Sequence, residues 1–193
     1  MFAQVQDGAI VRTGFSVQKM FPNVSFSGMP NSQFLTENNI QDVVEAERKD
    51  RLYYYVTQGD VVLVDGVPTQ QYTNTAMAIE DVDAVDSDGN QLYVQEYDSD
   101  GVGSDTSEKL ITRGLKYSFK NRIKSQANTA LANTDWMVIR KAERSVEIPA
   151  ATVTYRAAVI TEYDRLKAAI TGAADVDALA VVMGAQNWPA EAI

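Results

Sequence analysis

Two Asp-Ser-Asp-Gly tetrads, Asp86-Ser87-Asp88-Gly89 and Asp98-Ser99-Asp100-Gly101, come nearest in residue type and spacing to a chemical site. Closely spaced Asp residues followed by Gly are used in calcium loops. Here the later acidic ligands are missing, including the Glu that would close an EF-hand-type loop, so turn chemistry accounts better for both tetrads. Carboxylate pairs are plentiful, yet nothing in the sequence marks an apolar pocket that would raise one pKa for acid/base work. The chain has no His and no Cys. That removes the usual base near neutral pH, the thiolate nucleophile and the commonest metal ligands, and no Ser-His-Asp or Cys-His triad can be assembled. The expectation is a chain without catalytic, cofactor or metal site, and not an enzyme.

Charge narrows the partners. Of 26 acidic residues, nine fall in residues 76–107 (Glu80, Asp81, Asp83, Asp86, Asp88, Glu96, Asp98, Asp100 and Asp105), where there is no Lys or Arg. The rest of the chain is formally neutral, so nucleic-acid binding is not expected. Lys109, Arg113, Lys116, Lys120 and Lys124 follow at near-helical spacing. They read as the solvated face of an amphipathic helix, or as an internal complement to the acidic segment. The start, Met1-Phe2-Ala3-Gln4-Val5, has neither a basic region nor an apolar run, and no stretch has the length of a membrane span. A soluble protein folded in a cytoplasm is expected.

The remaining distinctive residues are contact residues. Tyr53-Tyr54-Tyr55, if extended, must put rings on both faces of a strand, leaving Tyr54, or Tyr53 with Tyr55, for a partner or a second packed layer. Trp136 reads first as the pin of a corner between two helices and second as an interface anchor. Trp188, in the polar tail Gln186-Asn187-Trp188-Pro189, is equally suited to packing and to partner contact.

The elements that must position these residues change character along the chain. Residues 2–6 and 9–12 flank Asp7-Gly8, a type I′ hairpin signal, and residues 31–40 can supply a short helix. Residues 41–47, 52–56 and 59–64 read as strands, and Asp65-Gly66 marks a second hairpin. The acidic segment reads as a third hairpin, 81–85 with 91–97, followed by a linker at 98–104 that is the expected domain boundary. Beyond it the period lengthens to that of a helix over residues 108–132, with Asp105, Thr106 or Ser107 as N-cap and a break at Thr134-Asp135. Pro149 starts a second helix, with a buried stripe of Thr152, Tyr155, Val159, Tyr163, Leu166 and Ile170, ending at Gly172. Asp175 caps a last short helix that stops at Gly184. The expected fold is α+β: a β-rich module (1–74), an acidic β-hairpin extension and linker (75–105), and a helical hairpin region (106–193).

Thr134-Asp135-Trp136, Pro149, Tyr155-Arg156, Asp175-Val176-Asp177-Ala178-Leu179 and Trp188-Pro189, in that order, resemble the tail assembly chaperones and tail-fibre assembly proteins of tailed bacteriophages. The opening, with residues 5–11 and Pro22-Asn23-Val24-Ser25-Phe26, is similar to small N-terminal modules of phage tail and fibre-associated proteins. The resemblance implies a non-catalytic factor that binds the tail-fibre protein, itself a trimer, and assists its folding, trimerisation or attachment. It would act in the host cytoplasm during phage assembly, with retention on the virion tail fibre and self-association both open. The alternative is a permanent virion subunit, a small baseplate or fibre-adaptor protein. Tyr53, Tyr54, Tyr55, Trp136, Tyr155 and Trp188 are the candidate partner-binding residues.

Overall fold

A computed structural model describes residues 1–190. The chain forms two compact units, Met1–Ala76 and Met77–Ile193. Strands dominate the first and helices the second, so the fold class is α+β.

The first unit contains β1 (Phe2–Gln6), β2 (Ala9–Gly14), α1 (Val17–Met20), α2 (Ser32–Glu37), β3 (Ile40–Asp42), β4 (Val44–Glu45), β5 (Tyr54–Val64) and β6 (Val67–Ala76). β1 and β2 form the expected hairpin, with Asp7 and Gly8 at φ 50° and 74°, the left-handed pair that a type I′ turn requires. β3 pairs on the other side of β1, giving the order β2-β1-β3. Ala3, Ile40, Val17 and Met20 are buried, with Ile40 paired to Gln4 and so on the face of the sheet opposite Ala3. Asn31 caps α2 by accepting from the Phe34 amide at 2.8 Å, as Asn does when it replaces a missing intrahelical acceptor. Phe34 then stands edge-on to Phe21 and Phe26, with centroids at 5.3 and 5.0 Å.

β5 and β6 form one long antiparallel hairpin around Asp65-Gly66, with β4 parallel on the far side of β6. Residues 54–64 are therefore one strand rather than two. The register shifts between Gln58 and Val61, a bulge at Gly59-Asp60. Buried Gln70 accommodates it: its side-chain amide donates to the Gly59 carbonyl at 2.6 Å and its oxygen accepts from Gln58 at 2.8 Å.

The second unit contains β7 (Val82–Asp83), β8 (Tyr93–Tyr97), β9 (Gly103–Lys109), β10 (Ile111–Thr112), α3 (Leu115–Arg144), α4 (Ala150–Gly172) and α5 (Val176–Gly184). Three expectations are corrected here. β8 pairs with β9 and β7 with β10, so the acidic segment is not one simple hairpin, although Val85 and Gln91 do bridge around the first tetrad. Residues 98–104 form the β8–β9 turn and the start of β9, not an interdomain linker. α3 starts at Leu115, because residues 103–109 are taken up by strand pairing, and it runs through Thr134-Asp135 to Arg144.

Tertiary contacts explain why α3 does not break there. The Thr134 hydroxyl donates to the Leu131 carbonyl at 2.9 Å, which is compatible with a helix. Arg156 on α4 then donates to Leu131 O (3.0 Å) and Thr134 Oγ1 (2.6 Å) and pairs with Asp135 (2.9 Å). The real turn between the helices begins at Ser145, in the left-handed region at φ 55°, whose amide closes on Lys141 O. Pro149 lies one residue before α4, and Asp175 caps α5 by accepting from Ala178 N at 2.8 Å. Phe119, Ile123 and Ala127 of α3 are buried with Tyr155, Val159, Leu166 and Ile170 of α4 and with Val176, Leu179 and Met183 of α5. Most of the stripe expected on α4 is thus core, with Glu162 added to it.

Candidate protein-interaction surfaces

The acidic segment and the basic stripe complement each other at the start of α3. Asp81 pairs with Arg113, Asp83 with Lys109, and Glu80 with Lys116, which also donates to Thr171 O at 3.0 Å. Lys109 and Arg113 precede the helix, so the expected single stripe does not exist, and Lys116 is buried. The backbone seals the junction. Leu115 N and Lys116 N donate to Ala78 O and Ile79 O, both at 3.0 Å, and Gly114 N donates to Asp81 Oδ1 at 2.9 Å. A carboxylate at a helix N-terminus is favoured by the helix dipole. The Gly114 amide and the Arg113 guanidinium together hold the Asp81 pKa below its ordinary value.

Both tetrads form turns. Asp86 accepts from the Asn90 side-chain amide (3.0 Å) and from the backbone amides of Asn90 (2.8 Å) and Asp88 (2.9 Å), which together depress its pKa, and Asp98 accepts from the amides of Asp100 and Val102, both at 2.9 Å. Among the described residues no cluster of three or more acids is arranged to hold a metal ion, and no helix is long and apolar enough to cross a membrane.

The six contact candidates separate into two groups. Tyr53 and Tyr54 are both buried, because Tyr53 lies in the turn before β5 and strand alternation starts only at Tyr54. Tyr54 Oη accepts from Lys49 Nζ at 3.1 Å. Tyr155 is core, its hydroxyl donating to Ala130 O at 3.0 Å. Trp188 is half-buried against Ala127, Tyr155 and Val159 and donates to Gln186 Oε1 at 2.9 Å. These four are held within the chain. Tyr55, at 63% exposure, and Trp136, at 51%, face solvent. Trp136 does not pin a corner: it lies within α3, and the Arg140 guanidinium covers its ring at 4.7 Å.

No protein-family model, no curated protein and no solved structure matches this chain.

The one-residue bulge reverses side-chain parity along β5, so Tyr55 and Thr57 before it share a face with Val62 and Val64 after it. Opposite them on β6 stand Thr75, Thr73, Thr69 and Val67. The other face, with Tyr54, Val61, Leu63, Pro68 and Gln70, is buried or half-buried. The outward face is thus a Tyr/Val/Thr surface whose one charge along β5 is the exposed Asp60 at the bulge, and β5, at the end of the order β4-β6-β5, has an edge unpaired among the described residues. β5 is long and has no Lys or Pro; of the devices that usually blunt an edge strand it carries the bulge and the charge of Asp60. Sequence reasoning missed Val62, Val64 and Val67. Their alternation was visible, but which face would be left uncovered depends on the bulge and on strand order.

A second apolar surface lies on the same unit: a cavity of about 210 Å³ lined by residues that include Phe2, Phe15, Met29, Pro30 and Leu35, with Phe15 and Met29 largely exposed. On the second unit, Ile139, Val153 and Ile160 are exposed on the helices, as is Trp136.

Proposed function

We propose that this chain is a phage tail-fibre assembly chaperone, a non-catalytic factor that binds the fibre protein in the host cytoplasm and assists its folding, trimerisation or attachment. The observation that carries the reading is the Tyr/Val/Thr outer face of the β5–β6 hairpin beside an unpaired strand edge. Fibre regions rich in intertwined strands fold slowly and expose edges and apolar faces before they close. An edge strand offers backbone pairing to such a segment, and Tyr55, Val62, Val64 and Val67 offer side-chain contact without charge. A partner that binds only the folding-competent or assembled form also stabilises it by mass action. Tyr155 and Arg156 lock α4 onto α3 as the expected helical hairpin, while Thr134-Asp135-Trp136, the first landmark of the resemblance, lies within α3 rather than at its end.

Co-expression with the neighbouring fibre gene tests the proposal. The wild-type chain is expected to raise the yield of soluble trimeric fibre at least severalfold. Val62→Glu with Val64→Glu should abolish that gain while leaving the chain's circular dichroism unchanged, because both side chains point outward. Fibre that is soluble and trimeric without this chain rules the proposal out. The alternative, a permanent baseplate or fibre-adaptor subunit, would place the chain at fixed stoichiometry in purified virions, whereas a chaperone that dissociates is absent or substoichiometric there.

A further inference from the structure

The inner face of the β5–β6 hairpin changes character along its length. Past the bulge it presents Val61, Leu63 and Pro68. Beside the bulge the same face turns polar: Gln58 stands opposite Tyr72, and Glu45 on the neighbouring β4 stands opposite Gln70. Polar side chains at inward strand positions weaken a core unless they serve a function. The bulge next to them is a further sign, since bulges re-aim side chains beside functional sites.

A cavity of about 280 Å³ opens at this polar stretch, lined by residues that include Phe15, Glu45, Arg48, Gln58, Gln70 and Tyr72. Small-ligand sites begin at about 300 Å³. Gln70 is buried, and its hydrogen bonds to Gly59 and Gln58 fix the orientation of both side-chain amides. Glu45 and Arg48 are exposed. Neither is in an ion pair among the described residues, although both line the one cavity. The Arg48 guanidinium lies over the Tyr72 ring instead, 5.7 Å from its centroid. Opposite charges that leave each other free in one cavity suit a ligand that carries both.

We infer that this cavity binds a small zwitterion of the α-amino-acid class, its carboxylate held by Arg48 and its ammonium by Glu45. A guanidinium and a carboxylate make the strong, two-pronged kind of hydrogen-bonded pair. An ammonium brings three donors and no acceptor, which suits the Glu45 carboxylate together with the Gln58 side-chain oxygen. A ligand with one charge alone leaves Glu45 or Arg48 without its partner. Phe15, 85% exposed at the same cavity, gains cover from an apolar or aromatic ligand side chain. This inference does not depend on the proposed chaperone role.

Titration of the whole chain with phenylalanine, N-acetylphenylalanine and phenylalaninamide, followed by amide NMR, tests it. The three probes share a ring and differ in charge. Phenylalanine is expected to shift the side-chain amide signals of Gln58 and Gln70, and each capped probe should bind about tenfold or more weakly, having lost one charged hydrogen-bonding group. Glu45→Gln should erase the preference for phenylalanine over N-acetylphenylalanine, and Arg48→Gln the preference over phenylalaninamide. Both side chains are exposed, so circular dichroism should be unchanged in each variant. The probe series on the wild-type chain decides by itself should either variant fold poorly. A capped probe that binds as tightly as phenylalanine makes the cavity a site for a single charge and overturns the inference. Preferences that survive both substitutions overturn it as well, as does the absence of any shift at Gln58 and Gln70 up to the solubility limit of phenylalanine.

Discussion

Glu162 shows how a single residue can be invisible in a pattern and still organise the fold around it. It lies on the core stripe of α4, 7% exposed, among Tyr155, Val159 and Leu166. Arg165 donates to both of its oxygens at 2.7 Å, and the Asn187 amide donates to one of them at 2.7 Å. Arg165 also holds Ala185 O at 2.9 Å, so the pair clasps the segment that brings Trp188 onto the α3–α4 core. Arg165 first, and the Asn187 amide after it, depress the Glu162 pKa below its ordinary value of 4.5. A depressed carboxylate contributes stability that is fully present above its unfolded pKa and is lost as pH falls through the folded one. In a Trp136→Phe chain, Trp188 emission should therefore be constant above about pH 5 and shift to the red below the folded pKa of Glu162. Glu162→Gln should remove most of that transition and cost about 1–3 kcal/mol in thermal or denaturant unfolding. An acid transition of the same size in the Gln variant would assign it to another group. The sequence placed Trp188 evenly between core and partner because nothing in a polar tail announces the buried carboxylate it is tied to.

At the scale of elements, local signals were legible wherever backbone geometry alone decides. Asp7-Gly8 and Asp65-Gly66 form their turns with positive φ, Asn31 and Asp175 form caps, and Gly172 and Gly184 end helices. Signals failed where tertiary contacts decide. Thr134-Asp135 reads as a helix break, but Arg156, twenty-two residues beyond Thr134, holds that turn in helical form. Residues 108–114 have helical composition and are claimed instead by β9, β10 and the ion pairs to residues 80–83. Gly114 carries that junction. A Cβ there would stand 2.3 Å from Glu80 O, a backbone atom that cannot yield without losing the Ala78 and Ile79 hydrogen bonds to α3. Gly114→Ala should thus destabilise the second unit by about 1–3 kcal/mol or more, as overpacking against an immobile neighbour does. The effect should appear in the unfolding of α3, read by helical circular dichroism. A Tm unchanged from wild type would mean that the junction is looser than these distances describe.

For the whole molecule, the division of labour is between buried and uncovered surfaces. The second unit spends its aromatic and charged landmarks largely on itself: Tyr155, Arg156 and Trp188 bind the helices and tail together, and Arg113, Lys109 and Lys116 neutralise Asp81, Asp83 and Glu80. The first unit leaves the outer face of β5 and β6 uncovered. The sequence showed which residues alternate, but not which of the two faces would be left without a second layer. That face is where the proposed chaperone contact belongs. The most direct test is hydrogen exchange on this chain alone and mixed with unassembled fibre protein. Pairing at the β5 edge predicts that the outward amides of residues 54–64 slow by about tenfold or more on mixing, while those of the buried α4 segment do not change. Fibre binding with no slowing in residues 54–64, or no binding at all, would contradict it.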